Sequence, residues 1–253
     1  MHRGVRSVTL GVPMKYRSAA HTDIGKVRLQ NQDQYLCQPA LGLFGVADGV
    51  GGLPGGAEAA ECAVRTLSHS VKSANGTEPD LRAAMETANT AVVRLGELVS
   101  PETGIGTTVS IGLFRGQNVR LAHVGDSRVY RLRDGQLHAM TEDHTVEVEA
   151  RRKHTPGEYL LLNAQSRHTL TRCVGQPVPL ETDTAEHTAK AGERWLFVTD
   201  GITRLVPDAE LAGLLGRYAT PMEAVKTIIS LAVERGGYDN ATAVAVFIDD
   251  LTE

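Results

Sequence analysis

Disulfide frameworks and zinc sites are excluded first. The three cysteines of this 253-residue chain, Cys37, Cys62 and Cys173, are odd in number, scattered and form no CxxC pair. No Cys or His pair stands at zinc spacing. The thiols read as small apolar fillers in a reduced, cytosolic protein. Long apolar runs are also missing. The start, Met1 to Pro13, is weakly basic without a sustained apolar stretch, and nothing later approaches bilayer length, so a cytoplasmic location without membrane contact is expected. Neither charge sign dominates: 26 Lys and Arg stand against 30 Asp and Glu, and the basic residues are dispersed. Nucleic acid is therefore not an expected partner. The chain has no Gly-Lys-Ser/Thr of a P-loop and no GxGxxG. It has no internal repeat and no Pro/Ser/Gly-rich linker, which gives one domain over residues 17–253 behind a poorly ordered N-terminus, 1–16.

What the chain has is a recurring pattern of apolar strand followed by acid. Leu41 to Ala47 runs into Asp48-Gly49, Val119 to Val124 into Gly125-Asp126-Ser127, and Trp195 to Thr199 into Asp200-Gly201. Tyr238-Asp239-Asn240 precedes the apolar run from Ala241. A carboxylate buried alone at a strand end is costly, so four such ends call for a shared compensating charge. Divalent cations supply it, and oxygen-only ligands suit hard ions such as Mg²⁺ or Mn²⁺.

Periodicity places the remaining elements. Strands are expected at Ser18–His21, Gln34–Gln38 and Leu41–Ala47. Helices follow at Gly55–Val71 and Asp80–Val99, the second opened by Pro79. Thr107–Phe114, Asn118–Val124, Arg128–Leu132 and Gln136–Met140 read as a four-stranded antiparallel meander, with Asp134-Gly135 as a plain hairpin turn. A polar insertion covers 142–167. Strands are expected again at His168–Val174, Thr182–Glu186 and Arg194–Thr199, helices at Asp208–Arg217 and Pro221–Glu234, and a last strand at Ala241–Asp249. Strand runs on both sides of a helical pair, without regular βαβ alternation, predict an α+β fold: a central sandwich of two antiparallel sheets flanked by helices, α-β-β-α. In such a sandwich the acidic strand ends can meet at one edge.

Arg28 is the candidate phosphate clamp, because a guanidinium fork matches two phosphate oxygens. The glycines after Asp48 allow the Gly49 carbonyl to stand beside that carboxylate. Arg28 with Asn31-Gln32-Asp33, Ala47 to Gly52, Gly106-Thr107-Thr108, His123 to Arg128, Thr199-Asp200-Gly201 and Asp239 to Thr242 occur in a characteristic order between Ala19 and Ile248. In these motifs the chain resembles the PPM-type, or 2C-class, metal-dependent protein serine/threonine phosphatases, in their compact bacterial branch.

The resemblance implies a binuclear Mn²⁺ or Mg²⁺ centre. Asp48 would bridge the two ions, the Gly49 carbonyl would bind one, and Asp200 and Asp239 the other. Asp126, with Asp200, would match a third, weaker site. Arg28 would hold the substrate phosphate, with Asp33 and Asn240 supporting the ligands, and a hydroxide bridging the metals would hydrolyse phosphoserine or phosphothreonine. Phosphorylated proteins, including a bacterial Ser/Thr kinase or its targets, are the implied partners, which makes the role one of signalling by dephosphorylation. Two departures stand out: Gln32 replaces the usual Glu, and Val50 stands where some members carry a proton-donating His. His144 reads as structural rather than catalytic. The rival readings are a non-catalytic signalling module of the same fold and a hydrolase of small phosphate esters. The insertion at about 142–167 corresponds to a short form of the family's variable flap.

Overall fold

A computed structural model describes residues 14–51, 54–74, 77–152, 164–176 and 179–251. Among the described residues ten strands form two antiparallel five-stranded sheets. The first sheet is ordered β1 (Met14–Asp23), β10 (Ala241–Leu251), β9 (Arg194–Val198), β6 (Arg128–Arg133), β7 (Gln136–Ala139). The second is ordered β2 (Asp33–Gln38), β3 (Leu43–Asp48), β4 (Val109–Arg115), β5 (Asn118–Val124), β8 (Asp183–Thr188). Helices α1 (Gly56–Ser73) and α2 (Leu81–Val99) cover the second sheet, and α6 (Asp208–Arg217) and α7 (Pro221–Glu234) cover the first. Short helices α3 (Val146–Arg152), α4 (Ala164–Arg167) and α5 (Asp200–Thr203) lie in the connections. This is the expected α-β-β-α sandwich.

Covered faces explain the unbroken apolar strands. In β10, Ala243, Ala245 and Phe247 face the helical layer, while Val244, Val246 and Ile248 face the opposite sheet. Both sides of the strand are buried, so alternation of apolar with polar residues disappears. The few aromatic rings concentrate between the sheets. Phe114 packs edge-to-face against Phe44, Trp195, Phe197 and Tyr16, with centroids 5.4–6.4 Å apart.

Four local expectations change. Residues 1–13 lie outside the described chain, but β1 already begins at Met14, which pairs with Leu251, so Met14 to Tyr16 belong to the sheet and not to a loose end. The four-strand meander is two hairpins in different sheets: β5 pairs with β4 and β8, whereas β6 pairs with β7 and β9. Gly125-Asp126-Ser127 is thus a corner between sheets, and its turn residues look the same in sequence as those of a hairpin. His168–Val174 forms no strand, only single bridges from Leu170 to Thr145 and from Val174 to Thr107. Its β-branched residues follow a loop instead. Part of the expected 142–167 insertion, 153–163, lies outside the described residues; α3 and α4 flank it.

The hairpin at Asp134-Gly135 holds, with φ of 52° and 76° at the two residues, as a primed turn requires. The fourth change is at α2. Its N-cap is Asp80, whose side chain accepts hydrogen bonds from the Arg82 and Ala83 amides, so Pro79 precedes the cap. Replacing Asp80→Ala leaves both donors unpaired and is expected to cost about 1 kcal/mol. A urea midpoint equal to that of the unaltered protein would contradict the cap.

Candidate active site

Strand register gathers the acids. Val198 at the end of β9 pairs with Arg128 at the start of β6 and with Ala243 near the start of β10. Two residues beyond this level lie Asp126, Asp200 and Ala241, and Asp239 follows in the loop just outside. Across the sandwich Asp33 opens β2 directly opposite Asp48, the last residue of β3. Thr108 ties the two sheets together at this end. Its amide donates to the Asp48 carbonyl at 2.8 Å, and its hydroxyl meets that of Ser127 at 2.7 Å. The expected edge therefore exists, with Asp33, Asp48, Asp126, Asp200 and Asp239 upon it.

The carboxylates perturb one another. Burial is the first cause that pushes the Asp33 and Asp126 acids up to about 7, and Asp200 adds to both. Asp48 is raised well above the carboxylate range by burial and then by Asp33, Asp200, Asp126 and Asp239. Asp200 is raised by burial against the opposing pull of Arg204. The carboxyl groups of Asp33 and Asp200 each come within hydrogen-bonding reach of Asp48. Such a cluster favours protons or cations, because ionising one member makes the next costlier.

Partial compensation comes from within the chain. Arg28 pairs with Asp239 at 2.7 Å, and Arg204 with Asp200 at 2.5 Å and with Asp126 at 3.8 Å. Thr199 donates to Asp33 Oδ2 at 2.9 Å. Buried Asp33 Oδ1 and Asp200 Oδ1 find no donor among the described residues. Crowded, oxygen-only and partly orphaned, the donor set fits hard divalent cations. No three acidic, His or Cys side chains among the described residues stand arranged around one point; Asp239 is paired with Arg28 and Asp200 with Arg204.

The supporting residues separate into distinct tasks. Asn240 accepts from the Gln32 amide at 2.8 Å and donates to the Ile24 and Gln30 carbonyls at 2.9 and 3.1 Å, which fastens the loop carrying Arg28. Gly201 can be nothing larger, since a Cβ there would stand 2.0 Å from the Asn240 carbonyl oxygen. Gly49 donates its amide to the Gln32 carbonyl, and Val50 donates to Gly106. His144 is buried, with Nε2 3.3 Å from Asp183, which is not one of the clustered aspartates. Its Nδ1 accepts from the Gly125 amide at 3.1 Å, its amide donates to the Gly125 carbonyl at 2.8 Å, and its ring lies tilted by 38° against that of His123. It thus holds the sheet-crossing corner that carries Asp126. Bidentate pairing of Arg128 with Asp143 anchors the same corner.

Arg204, Thr199 and Ser127 were assigned no role from sequence. Thr199 and Ser127 stand inside the motifs that carry the resemblance, and Arg204 lies four residues after Asp200, the spacing of an ion pair on a helical turn.

Comparison with known proteins points one way. The sequence pattern of the protein phosphatase 2C family matches residues 24–233. Serine/threonine protein phosphatase PstP of Mycobacterium tuberculosis is 31% identical over 251 residues, covering 94% of this chain and 46% of that protein. The chain thus spans about half the length of this relative. Serine/threonine phosphatase stp of Listeria monocytogenes is 31% identical over 234 residues, covering 89% of this chain and 93% of that one. Among solved structures, the catalytic domain of PstP in complex with two manganese ions is similar with a TM-score of 0.79 at 31% identity, covering 93% of this chain and 99% of that chain. PppA of Pseudomonas aeruginosa gives 0.79 at 30% identity, covering 94% and 99%.

Raised acids have a defined pH signature. With an ordinary value of 3.8 and a folded value of about 7, Asp33 binds more protons folded than unfolded in that interval, so its contribution to stability falls as pH rises through it. Buried His123, pulled down to about 4 chiefly by desolvation, acts in the opposite sense, so the informative quantity is a difference. In chelator, Asp33→Asn is expected to gain melting temperature relative to the unaltered protein at pH 8 and to lose that advantage at pH 5. An equal difference at both pH values would contradict the clustered charge.

Proposed function

The chain belongs to the protein phosphatase 2C family, and from that premise we propose that it is a protein serine/threonine phosphatase acting with Mn²⁺ or Mg²⁺. The observation that carries this reading is the convergence of five aspartates from both sheets on one edge, with a guanidinium beside them. Asp48 would serve both ions, with the Gly49 carbonyl on one and Asp200 and Asp239 on the other. Bound there, divalent ions supply Lewis-acid neutralisation of phosphoryl oxygens and water made acidic enough to attack near neutral pH.

The residues of the chain do the rest. Arg28 sits 2.7 Å from Asp239, and its guanidinium lies over Gly51, where an added Cβ would be 3.2 Å from both terminal nitrogens. Asp239 keeps Arg28 firmly protonated. Arg28 bonds Asp239 through Nη2 alone, so the rest of its fork would be available to the oxygens of a phosphate dianion, while Asp239 would be among the residues that hold an ion. Asp33, held by Thr199 and close to Asp48, would support the ligands from its buried carboxyl. Val50 has no proton to give, so the departing alkoxide is not protonated from that position. Asp126 and Asp200 share Arg204, so a third ion there would compete with a guanidinium.

Phosphorylated proteins are the proposed substrates, with a Ser/Thr kinase or its targets among them and the cytoplasm as the place of action. No helix among the described residues is long and apolar enough to cross a membrane. Asp48→Asn and Asp200→Asn each remove a ligand charge while nearly preserving shape. Each is expected to lose at least about a hundredfold in Mn²⁺-dependent phosphate release from a phosphothreonine peptide, by analogy with the loss of one electrostatic stabilising group, with an unchanged circular dichroism spectrum. Full activity in either variant with excess Mn²⁺ would refute the assignment.

A further inference from the structure

Among the described residues eight large apolar or aromatic side chains are exposed, and four of them flank Arg28: Ile24 at 39%, Val27 at 60%, Leu29 at 101% and Tyr238 at 65%. Isolated exposed apolar residues are ordinary, but a group of them rimming a polar site marks a place where something docks. Backbone contacts place the four together. The Lys26 amide donates to the Gly237 carbonyl at 2.7 Å, and Asn240 bonds the carbonyls of Ile24 and Gln30. The loop bearing Val27 and Leu29 is therefore strapped alongside the segment bearing Tyr238. The Tyr238 ring lies against Gly236, where an added Cβ would come within 2.4 Å of Cε2.

We propose that Val27, Leu29 and Tyr238 form a docking rim for an aliphatic or aromatic side chain within two positions of the phosphorylated residue in a protein substrate. The inference rests on the phosphatase reading and adds a substrate preference to it. Val27 and Leu29 are the immediate chain neighbours of Arg28, and Tyr238 precedes Asp239, the ion-pair partner of Arg28. A phosphate anchored by Arg28 brings the adjoining peptide across these side chains, since residues of an extended peptide advance about 3.3 Å each. A small phosphate ester has nothing to lay there. Continuity of the rim with the clamp thus selects a phosphopeptide as occupant.

The test compares p-nitrophenyl phosphate with two phosphothreonine peptides that differ only in having Leu or Ser after the phosphoresidue. Leu29→Ser and the double variant Val27→Ser/Leu29→Ser are assayed with Mn²⁺ beside the unaltered protein. The unaltered protein is expected to favour the Leu peptide in kcat/KM by roughly three- to tenfold, as partial burial of one aliphatic side chain allows. The variants lose that preference while p-nitrophenyl phosphate turnover stays within about twofold. An unaltered protein with no preference, or variants that keep it, would overturn the rim.

Absence of all hydrolysis by the unaltered protein would overturn the phosphatase reading alone. The rim is then read by fluorescence polarisation of the same two peptides: selective binding of the Leu peptide that the variants lose supports it, and equal binding overturns it. A dimer that the Leu29→Ser change converts to monomer would assign the patch to a second copy of the chain and overturn the proposal.

Discussion

Mutual repulsion among carboxylates at one end of a β-sandwich is the constraint to which the other features of this molecule answer. Five aspartates share a region where burial already penalises charge, and among the described residues Arg28 and Arg204 supply the guanidinium groups paired with them. A structural ion-pair network would match charges more closely. An excess of buried acid, with Asp33 and Asp200 each carrying an oxygen that no donor among the described residues reaches, fits the divalent-cation site proposed above.

The sandwich makes that excess tolerable. Three apolar layers, one between the sheets and one under each helical pair, hold the strands in a register that leaves no freedom for the acids to drift apart. Thr108 with Ser127, Thr199 with Asp33 and Asn240 with the Arg28 loop are hydrogen-bonded ties between segments distant in sequence. They hold a repulsive cluster together, and they join the two sheets at the end where chemistry is proposed. His144 and Arg128 serve the same purpose for the corner at Asp126, although a His beside an Asp invites a catalytic interpretation.

Much of this was legible in residues alone, for physical reasons that differ by position. Asp48, Asp126, Asp200 and Asp239 announced themselves because an acid at the end of an apolar strand violates the ordinary preference for burying neutral groups. The helices at Asp208–Arg217 and Pro221–Glu234 carry clear periodicity and end where the structure ends them. Sheet membership was not legible. A Gly-Asp-Ser turn permits both a hairpin and a corner between sheets, and only long-range pairing of β6 with β9 decides between them. Met14 to Tyr16 gain their order from Leu251, Asp250 and Ile248, at the other end of the chain, which no local pattern reveals. Thr199 and Ser127 stood inside recognisable motifs, but they act through contacts across the sandwich, so their partners were not legible.

The central claim is that the aspartate cluster holds a pair of divalent cations through a shared Asp48. Electron paramagnetic resonance of the protein loaded with two equivalents of Mn²⁺ tests it most directly. The account predicts the spectrum of an exchange-coupled pair, replaced in Asp48→Asn by that of isolated ions. Uncoupled Mn²⁺ in the unaltered protein, or a coupled pair that survives the substitution, would contradict it.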